Sequence, residues 1–279
     1  MIKVYAENIQ KKFMLKPEQQ IRVDGRLTTE LQVLNDFNLT VKKGEFVALV
    51  GPSGCGKSVF LDIIGGLTKK TNGCIQLDGK EINGPDPQLG YVFQQYALFP
   101  WRTALSNIEY PLQVRGIAEF ERKEKAERLL ALIGLEGFGK WLPNQLSGGM
   151  QQRVAIARSL STDPEVLLMD EPFAALDTQT RELLQGELLR IWEGIKNTVV
   201  FVTHSIEEAV FLADRVVVMT ARPGKVKCIV DIELARPRDE NTRSGNQFGE
   251  YRRRIWEALK DEVNKAQQDW ELSAVNSGR

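Results

Sequence analysis

The chain has a single histidine in 279 residues, His204. That count excludes a histidine-rich metal centre and any relay passing protons between several imidazoles. Cysteine is scarce as well. Cys55, Cys74 and Cys228 lie far apart with no C-x-x-C spacing, so neither a disulfide framework nor a thiolate metal site is expected. A reducing compartment fits that usage. No apolar run approaches the ~18 residues that a membrane span requires. The opening "MIKVYAENIQ" lacks the basic-then-apolar order of a secretory signal. Net charge is missing too: 37 Lys+Arg stand against 37 Asp+Glu, without the basic excess of a nucleic-acid binder. The expectation is a cytosolic protein with no nucleic-acid partner, still able to dock on a membrane-bound one.

What is present begins with enough apolar residues, 42% of the chain, to fill the core of one large α/β domain or two modest ones. Short, continuously apolar runs at 46–50, 89–93, 165–170, 198–203 and 215–220 predict strands covered on both faces, as in a largely parallel sheet. Helical patterns lie between them. In 178–196 the residues Leu184, Leu188, Ile191 and Ile195 step by four, three and four, which predicts one buried stripe. Between Phe93 and Glu165 two helical patterns occur without a convincing strand, a helical insertion into the α/β core. The polar stretch Met14–Glu30 reads as a long hairpin or loop. Beyond Arg222 a strand or two precede a terminal helix with Phe248, Tyr251, Ile255, Leu259 and Val263 on one face.

The chemistry starts at "FVALVGPSGCGKSVFLDIIGGL", a strand, a glycine-rich loop and a helix that meet the pattern G-x-x-x-x-G-K-[S/T] with Gly51, Gly56, Lys57 and Ser58. Glycine is needed because the backbone must curl around a β-phosphate so that successive N–H groups converge on its oxygens. Lys57 adds a positive charge for the β- and γ-phosphates, and Ser58 a hydroxyl for Mg²⁺. In "VLLMDEP" Asp170 ends an apolar strand, where a carboxylate can hold the Mg²⁺ shell, and Glu171 beside it can orient and deprotonate a water. The pair therefore implies ATP hydrolysis, although by itself a strand-end acidic pair also serves as a plain helix cap. A second phosphate signal is "LSGGMQQRVAIAR", in which a Ser-Gly-Gly turn feeds into a helix whose N-terminal amides face any anion beyond it.

Taken in order, Gly51–Ser58, Gln94 in "YVFQQYALFP", "LSGGMQQR", "LLMDEP", "AALD" at Ala174–Asp177 and His204 after a strand resemble the nucleotide-binding domain of ATP-binding cassette (ABC) transporters over about residues 1–230. The resemblance implies a P-loop NTPase, RecA-like core (1–95 and 160–230) with an N-terminal antiparallel β portion, a helical insertion (about 96–159) and a separate tail (231–279). It implies ATP and Mg²⁺ as cofactors and a head-to-tail homodimer. In that dimer the cradle of Gly51, Pro52, Ser53, Gly54, Cys55, Gly56, Lys57, Ser58 and Val59 from one subunit shares an ATP with Ser147, Gly148 and Gly149 of the other. Glu171, Gln94 and His204 are implied as the catalytic residues. Ser58, Gln94 and Asp170 would serve the metal. Asp177 would lie at the dimer interface, and Phe13 would stack on adenine, at a spacing lengthened by the Met14–Glu30 segment.

Phe99, Pro100 and Trp101 follow Gln94 in a stretch that should be loop, and clustered aromatics there read as a docking surface. In the family that surface receives a permease. "FPWRT" and the tail around "YRRRIWEAL" resemble the importer branch for nitrate, sulfonates such as taurine, and bicarbonate, which also implies an extracytoplasmic substrate-binding protein and a peripheral place on the cytoplasmic membrane face. An exporter or lipid-handling cassette, or an ABC ATPase outside transport, would carry the same core motifs.

Overall fold

The computed structural model describes residues 1–16, 21–23 and 26–277. The chain falls into two compact units. Met1–Pro85, Val202–Leu234 and Glu240–Arg279 form the first, and Asp86–Phe201 with Ala235–Asp239 the second. The first unit opens with β1 (Ile2–Met14), β2 (Ile21–Val23), β3 (Arg26–Thr28), β4 (Glu30–Lys42), β5 (Phe46–Val50), α1 (Lys57–Ile64), β6 (Asn72–Leu77) and β7 (Lys80–Glu81). An antiparallel four-stranded sheet has the order β4-β1-β6-β7, and β1 runs against β4 from Ile2↔Lys42 to Met14↔Glu30. Along β4 the buried residues Phe37, Leu39 and Val41 alternate with exposed ones, the period of a strand with one face on a core. β2 and β3 pair as a small hairpin within the segment expected to be hairpin or loop, of which residues 17–20 and 24–25 lie outside the described residues. All five residues of β5 are buried, and the Phe37 ring meets Phe60 of α1 at 4.2 Å.

The second unit contributes β8 (Leu89–Val92), α2 (Ala104–Val114), α3 (Glu119–Leu132), α4 (Gly148–Leu160), β9 (Val166–Asp170), α5 (Thr178–Ile195) and β10 (Thr198–Val202). β8 and β9 are parallel, and β10 lies on the other side of β9. The first four residues of β9 and every residue of β10 are buried, as continuous apolar runs require. Helices α2, α4 and α5 begin at side-chain caps, where Thr103, Ser147 and Asp177 accept the backbone N–H groups of Ser106, Met150 and Thr180. One expectation needs correcting. Leu184, Leu188 and Ile191 are buried along α5, but Ile195, the last helical residue, is 49% exposed because the chain turns away at Lys196 with φ 58.

The chain then returns to the first unit through α6 (Ile206–Leu212), β11 (Arg215–Met219), β12 (Val226–Asp231), α7 (Glu240–Ser244) and α8 (Asn246–Ser277). β11 lies parallel to β5 and antiparallel to β12, the one described strand of the region read as a strand or two. On α8 Phe248, Ile255 and Leu259 are buried, while Tyr251 and Val263 are half-buried. Buried Glu262 accepts from the Ala221 N–H at 2.9 Å and from Lys227 Nζ at 2.7 Å. No described helix is long and apolar enough to cross a membrane.

Candidate functional site

In the first unit β5 runs directly into the Gly51–Ser58 loop and α1 leaves it. Gly56 stands before the helix with φ 103, where a Cβ would lie 2.8 Å from Leu34 Cδ2 and 2.9 Å from Val33 Cγ1. Only glycine fits that conformation and that gap. No side chain caps α1 at Gly56, as at helix N-termini that bind anions. Lys57 is 4% exposed; its ammonium donates to the carbonyls of Gly51 at 2.9 Å and Pro52 at 3.1 Å. His204, exposed after β10, brings Nδ1 within 3.4 Å of the same ammonium. The structure thus brings together two of the expected phosphate-binding side chains, 147 residues apart in sequence. Phe13 is 37% exposed on β1 with the Lys11 ammonium 4.5 Å from its ring centroid. Its strand partner is Leu31, two residues before the Val33 that abuts Gly56.

The second unit holds the carboxylates. Asp170 ends β9, and Glu171 follows with φ 44, left-handed backbone that costs energy for any residue but glycine and recurs at functional positions. Glu171 Oε2 lies 3.5 Å from Gln94 Nε2, at the limit of a hydrogen bond. The two candidate water-handling groups therefore face each other. Ser147 Oγ accepts from Met150 N at 3.3 Å at the start of α4. Both glycines of the turn are sites of close approach: a Cβ on Gly148 would lie 2.9 Å from Tyr96 Oη, and one on Gly149 2.7 Å from Thr180 Cγ2. Asp177 accepts from Thr180 N at 3.0 Å, and the hydrogen bonds from the Thr180 backbone and side chain hold its carboxyl below the usual range.

Beside Gln94 an open groove of about 460 Å³ is lined by Tyr91, Phe93, Phe99, Tyr110, Arg115 and Arg158 among others. Trp101 is 73% exposed, with its ring centroid 5.6 Å from that of Phe99 in the groove lining. The loop is shaped by a residue that no motif marks. Fully buried Asn107 on α2 accepts from Phe99 N at 2.8 Å and donates to the carbonyls of Phe99, Arg102 and Thr103 at 3.0–3.2 Å. Replacing Asn107 with Ala takes the side-chain partner from the Phe99 N–H and the Arg102 carbonyl, while the Phe99 and Thr103 carbonyls keep the N–H groups of Arg102 and residue 107; an unsatisfied group costs roughly 1–3 kcal/mol. The expected result is a melting temperature several degrees lower, measured by calorimetry on the free subunit. Arg158 is a second such residue. Its guanidinium donates to the carbonyls of Tyr96 at 3.1 Å and Ala97 at 2.6 Å, and burial pulls its pKa below the ordinary value.

The chain resembles known proteins over most of its length. A family model described as ABC transporter matches residues 34–174. An uncharacterised ABC transporter ATP-binding protein of Methanocaldococcus jannaschii is 54% identical over 255 residues, 91% of this chain and 94% of that protein. The aliphatic sulfonates import ATP-binding protein SsuB of Bacillus cereus is 46% identical over 231 residues, 83% of this chain and 90% of its own length. Among solved structures, the ATP-binding cassette MJ0796, described as a dimeric post-hydrolysis state bound to ADP and phosphate, is 36% identical with a TM-score of 0.70, covering 83% of this chain and all of that one.

Proposed function

We propose, from the premise that the chain belongs to the ABC transporter ATP-binding family, that it is the ATPase subunit of an importer for a small anion such as a sulfonate, nitrate or bicarbonate. As a cassette of this family it binds and hydrolyses ATP. Kinship carries the importer reading: relatives 45–46% identical over more than four fifths of the chain are named as aliphatic sulfonate import ATP-binding proteins. In this reading two copies clasp ATP between the Gly51–Ser58 cradle of one and the Ser147–Gly149 turn of the other. The dimer sits on the cytoplasmic face of a permease that a substrate-binding protein loads from outside. The ATPase domain spans residues 1–230 and the remainder is a tail.

Each residue has a role. Lys57 and the loop amides neutralise the β- and γ-phosphates, and His204 hydrogen-bonds the γ-phosphate. Glu171 takes a proton from water as the water oxygen bonds to the γ-phosphorus and the bond to the β-bridging oxygen breaks, leaving ADP and phosphate. Gln94 holds that water against Glu171, and Phe13 stacks on adenine. Ser58, Asp170 and Gln94 each offer the oxygen donor that suits Mg²⁺ and would hold it; the ion would supply positive charge to the transferring phosphoryl group. Copurification of the permease, followed by ATPase assays with candidate anions and the binding protein, tests the importer assignment; stimulation by none of them counts against it.

Trp101 and Phe99 carry the docking part of the reading. Neither has a group that binds phosphate or moves a proton, and Trp101 is the more exposed. Burying one large aromatic side chain is worth roughly 1.5–3 kcal/mol, tenfold or more in affinity. Trp101→Ala is expected to keep MgATP affinity and melting temperature near the parent values while weakening permease association at least tenfold in a pull-down titration. Unchanged docking by the folded variant would remove the aromatic pair from the interface.

A further inference from the structure

We infer that Tyr96 is a positioning residue, a strut between the groove and the Ser147–Gly149 turn, so that one loop addresses two ATP sites. Gln94 faces the Glu171 of its own subunit. Two residues later, Tyr96 faces the turn that its subunit offers to the partner's nucleotide. The inference rests on the shared-site reading above and concerns how that site is regulated.

Four observations within the second unit define the strut. Tyr96 Oη lies 2.9 Å from the point a Gly148 Cβ would occupy, and its Cζ lies 3.9 Å from that point. Leu176 Cδ2, in the "AALD" segment, closes the other side at 3.4 Å. The backbone end of Tyr96 is gripped separately: Arg158 forks onto the carbonyls of Tyr96 and Ala97, and Ala97 is bent into the left-handed region at φ 50. Arg158 and Gly148 belong to the same helix, α4, ten residues or about 15 Å apart. Tyr96 therefore lies along α4, with its backbone clamped by Arg158 and its phenol against the helix's first residue.

The clamped end belongs to the groove, because Ala97, Phe99 and Arg158 all line it. A permease segment pressing on Ala97 and Phe99 moves the loop that carries the phenol. The phenol in turn bears on a glycine with no side chain to yield. Gly149 passes the displacement on, since it packs against Thr180, whose N–H is bound by Asp177. Gln94 and Tyr96 thus give a single docking event two outputs, one to each nucleotide.

The test uses the full chain in a Glu171→Gln background, where bound ATP persists and holds the dimer. Tyr96→Ala is expected to leave MgATP affinity of the monomer unchanged, because the cradle is untouched, but to raise the ATP concentration for half-dimerisation at least tenfold. Tyr96→Phe, which loses only the nearest atom, should raise it about threefold. With Glu171 restored, Tyr96→Ala should raise KM for ATP by a similar factor while kcat at saturation stays near the parent value. A merely structural residue would lower melting temperature and nucleotide affinity together. Dimerisation of Tyr96→Ala at the parental ATP concentration overturns the inference. If that variant does not fold, the near-isosteric Tyr96→Phe decides, and parental dimerisation overturns it. Failure of the Glu171→Gln parent itself to dimerise with ATP is a different result, which removes the shared-site reading and the strut with it.

Discussion

Glu171→Gln should lower steady-state ATP hydrolysis by about 100-fold or more and leave MgATP affinity intact, because removing a positioned general base costs typically 10²–10⁴ in rate. The substitution suits the local geometry. Glutamine has the outline of glutamate, so the left-handed turn at φ 44 is strained no further and the 3.5 Å approach of Gln94 still meets an oxygen. Only basicity is lost. An interaction made solely in the transition state lowers kcat and kcat/KM together, and that pattern distinguishes loss of the base from damage to the cradle. Phosphate release and nucleotide titration on the same preparation measure the two quantities. The variant should also accumulate an ATP-held dimer on gel filtration. Hydrolysis at the parental rate would remove Glu171 from the role of base.

Those parts of the molecule that one-dimensional patterns encode were legible before any coordinates. Continuous apolar runs announced β5, β9, β10 and β11 because strands covered on both faces leave no polar side to alternate with, whereas β8, at the sheet edge, is a strand with Leu89 and Tyr91 only half-buried. The cradle was legible for a similar reason: its glycines answer a local backbone demand, visible at Gly56, so the motif is contiguous. Helix α2 was hidden. Pro111 lies within it, and its buried positions include the polar Asn107, so neither composition nor period marks the element. Ile195 shows the opposite failure, a correct helical period carried to the last helical residue, which the turn at Lys196 leaves exposed. Tyr96 and Arg158 do their work through contacts between elements, with Arg158 reaching back across 62 residues to Tyr96, and Asn107 through bonds to the loop that precedes its own helix. Such contacts exist only after folding. A tyrosine two residues from a motif glutamine carries no local sign that its hydroxyl will meet Gly148.

In heterodimers that pair a Lys57→Ala chain with a Ser147→Arg chain, one nucleotide site should remain whole, whereas pairing the doubly substituted chain with the parent should leave none. Lys57 holds a buried ammonium in the cradle, and losing the charge-assisted hydrogen bonds it would give the phosphates costs about 1.5–3 kcal/mol each, tenfold or more in ATP affinity. Ser147 caps α4, and arginine there both deletes the cap and fills the space beside Gly148 that Tyr96 and Leu176 already narrow. If each site takes its cradle from one chain and its turn from the other, the first pairing puts both lesions on one site and spares the second. The doubly substituted chain instead contributes a damaged cradle to one site and a damaged turn to the other. Heterodimers isolated through two different tags, with Glu171→Gln in both chains, can be scored by nucleotide retained rather than by turnover, so cooperativity between sites in the hydrolysis step does not obscure the count. The expected result is about one ATP per dimer in the first pairing and close to none in the second, a contrast set by the tenfold or greater loss at each damaged site. Equal retention in the two pairings would mean that each chain binds its nucleotide alone, and the Ser147–Gly149 turn would then be no more than a helix cap.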